Sequence, residues 1–377
     1  MTRTPSDEGE TRPVTEPEIA AIYFPSWHAD RRRDAYLGDG FTEWELVRAG
    51  RPRFPEHRQP IVPLDGHLDE SDPAVMSGIV RRAADAGVSA FLWDWYWYDE
   101  ADFLNRPLDE TYLALPDPAV QFALMWANHD WRDVFPARTE GEPALWWPGA
   151  VDAEQFDRMC EVIVHRYLVE PSYWKVDGAA WFSVFSYETL LEGLGGAEAA
   201  AAALRRFRDM ARAAGVGELH LNVLNHWFDV DPAELRAVGF DSIGSYGWGD
   251  VMPLDRGPTL AYGPWAEENE ARWEAEAARQ SLPFVPTVTM GWDSTTRVHQ
   301  DDPMVVTEWP HLPVVVDPDP DRFEQSVRRA REHVERHRTP PVVIVNAWNE
   351  WTEGSYLEPD ERFGDAFPLA LRRGSGR

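Results

Sequence analysis

Cysteine, lysine and positive charge are what this chain has least of. Cys160 is the single cysteine in 377 residues, so no intramolecular disulfide can form. It shares a helical spacing with Phe156, Met159 and Ile163, the pattern of a core residue. Lys175 is the single lysine, and every other basic side chain is Arg. Barrel enzymes that work through a Schiff base need a buried lysine. Lys175 falls between Pro171 and Gly178 in an expected loop, which sets that chemistry aside. Lys and Arg number 36 against 65 Asp and Glu, for a net charge of -29 and a pI near 4.7. Such a balance disfavours nucleic acid and anionic membranes as partners. No apolar run approaches the length of a spanning helix. The polar stretch Met1 to Ala20 has no apolar centre of an export signal. The expectation is a cytoplasmic protein with a disordered leader over residues 1–17. No His-x-His or paired-cysteine spacing appears, and neither metal nor cofactor is expected.

Tryptophan is abundant, with 19 copies. Indoles present flat apolar faces and one donor, which suits stacking on the C–H faces of sugar rings. Eight apolar, β-rich segments are expected as strands: Ile19–Trp27, Ser89–Tyr96, Val120–Asn128, Ala180–Ser186, Leu219–Asn225, Asp241–Tyr246, Phe284–Gly291 and Pro341–Trp348. Helical patterns alternate with them, opened by Ser71-Asp72-Pro73 and Asp231-Pro232 and closed at Gly87, Gly215 and Gly239. Strands alternating with helices predict an α/β fold: a single (β/α)8 TIM-type barrel over residues 18–360, with a C-terminal tail over 361–377. Long loops at the carboxyl-terminal face are expected over Gly38–Leu64, Arg132–Val151 and Asp293–Asp319. Asp317-Pro-Asp319-Pro-Asp321 reads as a loop and helix cap, not a metal motif.

The predicted strand ends carry the chemistry. Strand eight runs through Val342-Val-Ile-Val-Asn346 into Ala347-Trp-Asn-Glu350-Trp-Thr-Glu353-Gly354. Two Glu three positions apart at a strand end can face one cleft, and cleavage of a glycosidic bond needs a proton donor plus a base or nucleophile. Glu350 and Glu353 are therefore the candidate catalytic pair, with roles open to exchange. Burial beside Trp348, Trp351 and a second carboxylate is the environment that raises a general acid's pKa. Aromatic and polar residues recur at the other strand ends. Candidate substrate-binding residues there are His28, Trp95, Trp126, Asn128, Asn225, Trp292 and Asp293. Asn349, Trp351 and Tyr356 join them from the last motif, and Glu43 and Trp44 from the loop after strand one. Arg297 is weighed as an anion holder or a salt bridge to an acid, the latter slightly preferred.

Tyr23-Phe-Pro-Ser-Trp-His28, Gly40-Phe-Thr-Glu-Trp44, Gln59-Pro60, Trp126-Ala-Asn128, Gly291-Trp-Asp-Ser-Thr-Thr-Arg297 and Asn346-Ala-Trp-Asn-Glu-Trp-Thr-Glu-Gly-Ser-Tyr-Leu-Glu-Pro359 are spread through most of the chain. Together these motifs resemble the WbsX-type family, which is similar to glycoside hydrolase family 99. The resemblance implies a (β/α)8 barrel that acts on, or builds, complex polysaccharides. It also implies that Glu350 deprotonates a sugar 2-hydroxyl, with retention through an epoxide, and that Glu353 acts as acid and then base. Thr352 stands where family 99 proper usually has His, and His129-Asp130-Trp131-Arg132 departs from the Glu-Asn-Trp common in WbsX-type proteins. The expected activity is a glycoside hydrolase with a carbohydrate substrate. The alternatives are a WbsX-type glycosyltransferase and a noncatalytic glycan-binding barrel. A transferase calls for a Gly-rich nucleotide site, to which Gly193-Leu-Gly195-Gly196 comes closest.

Overall fold

The computed structural model describes residues 16–225 and 230–377. At its centre lie eight strands: β1 (Glu18–Tyr23), β2 (Ala90–Tyr98), β3 (Gln121–Trp126), β4 (Ala179–Ser186), β5 (Leu219–Asn225), β6 (Ser242–Ile243), β7 (Thr287–Thr289) and β8 (Val342–Asn346). Their order is β6-β5-β4-β3-β2-β1-β8-β7, and each neighbouring pair is parallel. A parallel bridge between Ile243 and Phe284 joins the two ends. There Ile243 N donates to Pro283 O at 3.0 Å, and Val285 N donates to Ile243 O at 2.7 Å. The sheet thus curls on itself as the barrel expected from the sequence.

β6 and β7 are shorter than the apolar runs that announce them. Pro283 and Pro286 supply no N–H to a ladder, so regular pairing before β7 is confined to the closing bridge. β8 is the opposite case: all its residues are buried, on both faces, between β1 and β7.

Helices cover the outside. Pro73–Asp85 starts where Asp72 accepts from the backbone N–H of Ala74 and Val75, with Pro73 in the first turn. Pro320–His337 is capped by Asp319, which accepts from Asp321 N, so the Asp-Pro run is a helix start. Between β2 and β3 the helical piece shrinks to Pro107–Tyr112. Beyond residue 360, helix Ala366–Ser375 buries Phe367, Ala370 and Leu371 and sets the Phe367 ring 5.7 Å from Phe323 of helix Pro320–His337. No described helix is long and apolar enough to cross a membrane.

The connections at the carboxyl ends of the strands roof the barrel. One holds helix Trp44–Ala49 and another the hairpin Trp131–Arg132 with Leu145–Trp147. A third holds the turn Thr295–Arg297 and the strand Val314–Val316, which pairs with Thr259–Ala261.

Candidate active site

Glu350 and Glu353 arrive at the mouth by a tight local path. The chain leaves β8 and pairs Asn349–Glu350 antiparallel with Ser355–Tyr356. The single turn Trp351–Glu353 spans the gap and closes on Gly354 at φ 63°. A Cβ at Gly354 would lie 2.8 Å from the backbone N of Asp293, so a side chain is excluded there by conformation and by space. Asp293 N donates to Glu353 O at 2.6 Å, which ties this turn to the end of strand β7.

Both carboxylates line a cavity of about 840 Å³ at the barrel mouth. Its wall is mostly apolar: Phe24, Tyr96, Met125, Trp131, Phe135, Phe185, Tyr246, Trp292 and Trp309 are among its members. Glu353 accepts from Trp309 Nε1 at 2.6 Å and is 7% exposed, against 2% for Glu350. Burial raises the Glu353 pKa above the ordinary carboxylate value, with Arg297 and the Trp309 bond opposing. Glu350 is held well above that value by burial and then by the Glu353 charge, with Arg297 opposing.

Behind Glu350 lies a buried charge network. Arg297 Nη2 is 2.9 Å from Glu43 Oε2 and 3.3 Å from Glu350 Oε1. Burial pulls the Arg297 pKa down, but Glu43, Glu350 and Glu353 together carry it above the usual value. Phe24, Phe135 and Trp309 surround the guanidinium, each ring centre 5.6 to 5.7 Å away. The salt-bridge reading of Arg297 holds. Thr352 Oγ1 sits 2.8 Å from Glu43 Oε2 and 2.8 Å from Glu350 Oε1.

The twelve candidate binding residues divide sharply. Among the described residues, Trp292 lines the cavity, with its indole laid against Gly249, where a Cβ would come within 2.3 Å of the ring. Trp95 and Trp126 do not, because side chains alternate along a strand. On β2 the pleat turns Asp94 and Tyr96 into the cavity, while Trp95 stacks on Trp97 and faces Tyr167 of the outer layer. On β3 it turns Met125 inward and packs Trp126 on Phe156 of helix Ala153–Val162.

The amides are spent on the backbone. Asn128 donates to Ser186 O at 2.8 Å and accepts from Ser186 N at 2.7 Å, clamping β3 to β4. Asn349 likewise donates to Phe24 O at 3.0 Å and accepts from Phe24 N at 2.8 Å. His28 Nδ1 meets Glu70 at 2.9 Å in the interior. Glu43 is fully buried behind Glu350. Trp44 donates to Leu68 O, and Trp351 donates to Glu358 and stacks on Tyr356 at 3.8 Å.

Asp293 and Tyr356 line a separate groove of about 1140 Å³. Asp293 accepts there from Gln59 at 2.6 Å and meets His57 Nε2 at 2.8 Å. Burial works to raise the Asp293 pKa, but the His57, Thr295 and Gln59 partners outweigh it and leave the carboxyl below its ordinary value. The Asn225 side chain, and His226 and Trp227 beyond it, lie outside what the structure describes.

Sequence reasoning passed over Asp94, Tyr96, Tyr246 and Trp309. The first two were legible in the alternation Trp93-Asp94-Trp95-Tyr96-Trp97, where one parity is all indole and packs outward. Asp94 Oδ2 accepts from Tyr246 at 3.1 Å, and burial holds its pKa well above the ordinary value. Trp309 comes from a long loop whose folding no periodicity announces. One His/Glu group stands apart from the mouth: Glu274, His333 and His337, whose ligand atoms lie within 4.8 Å of one another. Arg336 shares the Glu274 carboxylate at 2.8 Å, so the group is already a charge-balanced helix contact.

Comparison with known proteins gives the chain a family and a fold. The sequence model of the family described as "Glycosyltransferase WbsX" matches residues 19–251 and 260–371. The protein WxcX of Xanthomonas campestris pv. campestris is 30% identical over 389 residues, covering 97% of this chain and 50% of its own length. The chain thus spans about half the length of the curated relatives it matches. Among solved structures, the GH99 endo-alpha-mannosidase from Bacteroides thetaiotaomicron superposes with a TM-score of 0.55 at 12% identity, over 95% of this chain and 96% of that one. A glycoside hydrolase-like protein gives 0.62 at 15% identity, over 96% and 94%. The beta-glucosidase from Thermotoga maritima gives 0.50 at 9% identity, over 96% and 98%. At these identities the solved structures establish the barrel fold alone.

Proposed function

The chain belongs to the WbsX family, a carbohydrate-active family, and on that premise we propose that it is a glycoside hydrolase. Its substrate is an oligo- or polysaccharide bound in the barrel mouth. The observation that carries this reading is the placement of two carboxyl groups in different surroundings on one apolar cavity. Burial raises both carboxyls, so the roles rest on their contacts: Glu353 has one indole donor, which leaves it the better placed to carry a proton to the leaving oxygen. Glu350 has a guanidinium and a hydroxyl against one oxygen, partners that stabilise a carboxylate once formed. Glu353 is therefore assigned as acid and then base, and Glu350 as the base or nucleophile. Aromatic walls exclude bulk water, and Trp292 and Trp309 offer indole faces or donors to sugar rings. Five acids line the cavity (Asp94, Asp130, Glu308, Glu350 and Glu353) against two arginines (Arg132 and Arg297), which favours a neutral glycan over an anionic one.

The transferase reading draws on the family's description. Its nearest sequence signal, Gly193-Leu194-Gly195-Gly196, joins helix Tyr187–Leu194 to helix Ala197–Ala213 on the outside of the barrel. That is not the strand-to-helix turn that cradles a diphosphate. The test is a pair of isosteric variants. Glu350→Gln and Glu353→Gln should each lower turnover by on the order of a hundredfold or more, with thermal unfolding close to wild type. Turnover like wild type in either variant contradicts the assignment of that residue.

A further inference from the structure

Glu43 is a buried acid that hydrolysis by Glu350 and Glu353 leaves without a task. It is fully buried and does not itself line the cavity. Its Oε1 accepts from Ser26 at 2.9 Å, and its Oε2 meets both Arg297 and Thr352. Thr352 Oγ1 stands 2.8 Å from Glu43 Oε2 and equally 2.8 Å from Glu350 Oε1. A hydroxyl has one hydrogen to donate and two lone pairs with which to accept. Between two ionised carboxylates, one of these contacts would press a lone pair against an anion. Both contacts are attractive when one carboxyl is protonated and donates to Thr352, while Thr352 donates to the other.

Charge gives the same count. Arg297 is the cation that reaches both carboxyls, at 2.9 and 3.3 Å. With one proton shared between Glu43 and Glu350, the cluster of two acids and one guanidinium is neutral. With none, it carries a net negative charge in a dry interior, which is unfavourable. Of the other ionisable groups nearby, Glu353, Tyr96 and Tyr246 face Glu350, whereas Arg33, Glu353 and Tyr96 face Glu43.

We propose that Glu43 is a proton store for Glu350, the two acids exchanging a single proton through the hydroxyl of Thr352. At rest Glu350 holds the proton and its O–H donates to Thr352 Oγ1, while the Thr352 O–H donates to the Glu43 carboxylate. In the transfer, the Glu350 proton bonds to Thr352 Oγ1 as the original Thr352 hydrogen passes to Glu43 Oε2. Glu350 becomes a carboxylate and Glu43 a carboxylic acid, with proton count and total charge unchanged. Glu350 is thereby readied as a base without exchange with solvent. This use of the relay rests on the hydrolase reading; the relay itself does not. Glu43 acts through Glu350, so it is a positioning residue.

The test is carbon-13 NMR of the full chain labelled at the glutamate carboxyl carbon, titrated with no ligand present. Wild type is compared with Glu43→Gln, Glu350→Gln, Thr352→Val and Thr352→Ser. One of the two carboxyls should be protonated at neutral pH in the wild type. Glu43→Gln should lower the Glu350 midpoint by on the order of one unit or more, because Arg297 then serves Glu350 alone. Thr352→Ser, which keeps the hydroxyl, should titrate as wild type. Thr352→Val, which keeps the shape, should separate the two titrations. Two ionised carboxyls at neutral pH, or Thr352→Val titrating like Thr352→Ser, overturns the proposal. Should Glu43→Gln not fold, the Thr352 pair decides. No substrate enters the measurement, so a failure to find glycan cleavage leaves its outcome unaffected.

Discussion

At the scale of single residues, the site is a set of acids whose surroundings differ. Glu350, Glu353 and Asp94 share a cavity, yet only Glu350 touches the guanidinium of Arg297. The pair Glu350 and Glu353 was legible from residue type and spacing, because carboxylates at a strand end have few structural partners. The partners were only partly legible: Arg297 was expected against an acid without saying which, and Trp309 and Glu43 reach the network from distant loops. Glu358 shows how such an environment can be tested. It accepts from the indoles of Trp348 and Trp351, and burial pushes its pKa from 4.5 up to about 7. A raised carboxyl pKa gives stability that is fully present below the unfolded value and is lost as pH rises through the folded one. Thermal unfolding of wild type and Glu358→Gln, compared across the window from 4.5 to about 7, should therefore favour the variant increasingly as pH rises. A difference between the two that does not change with pH would contradict this account of Glu358.

At the scale of elements, the strand pleat decides which residue faces the cavity. The segment Ala90–Tyr98 is buried along its whole length, so composition alone cannot say which face is which. Parity can: Trp93, Trp95 and Trp97 form one face, and Asp94 and Tyr96 the other. Indole content pointed to Trp95 and Trp126, and the period of two sends both outward. The same limit applies to Asn128 and Asn349, whose amides close gaps between strand ends where the backbone ladder has stopped. The turn after Glu353 is the element on which the acid depends. Gly354→Ala places a side chain at φ 63° against the Asp293 backbone. It should cost about 1–2 kcal/mol from the left-handed backbone alone. Turnover should fall with it, because Asp293 N holds Glu353 O. Denaturant unfolding and kinetics of this variant measure both effects, and an unchanged midpoint with unchanged turnover would contradict them.

At the scale of the whole molecule, alternating strand and helix patterns were enough to predict the barrel. The shortest strands are β6 and β7, where the predicted lengths exceeded the observed ones; proline limits the ladder only before β7, at Pro283 and Pro286. Closure through Ile243 and Phe284 depends on contacts that no local pattern encodes. The barrel brings Glu350 and Glu353 to one mouth, and the relatives' greater length leaves room for work done beyond it. The central claim is that this mouth hydrolyses glycans without an activated donor. The measurement that meets it most directly is sugar release from α-mannosides, other glycosides and bacterial oligosaccharides by the purified chain, with and without added nucleotide sugars. The account predicts release in the absence of any nucleotide, abolished by Glu353→Gln. Glycan extension that appears only when a nucleotide sugar is supplied would contradict it.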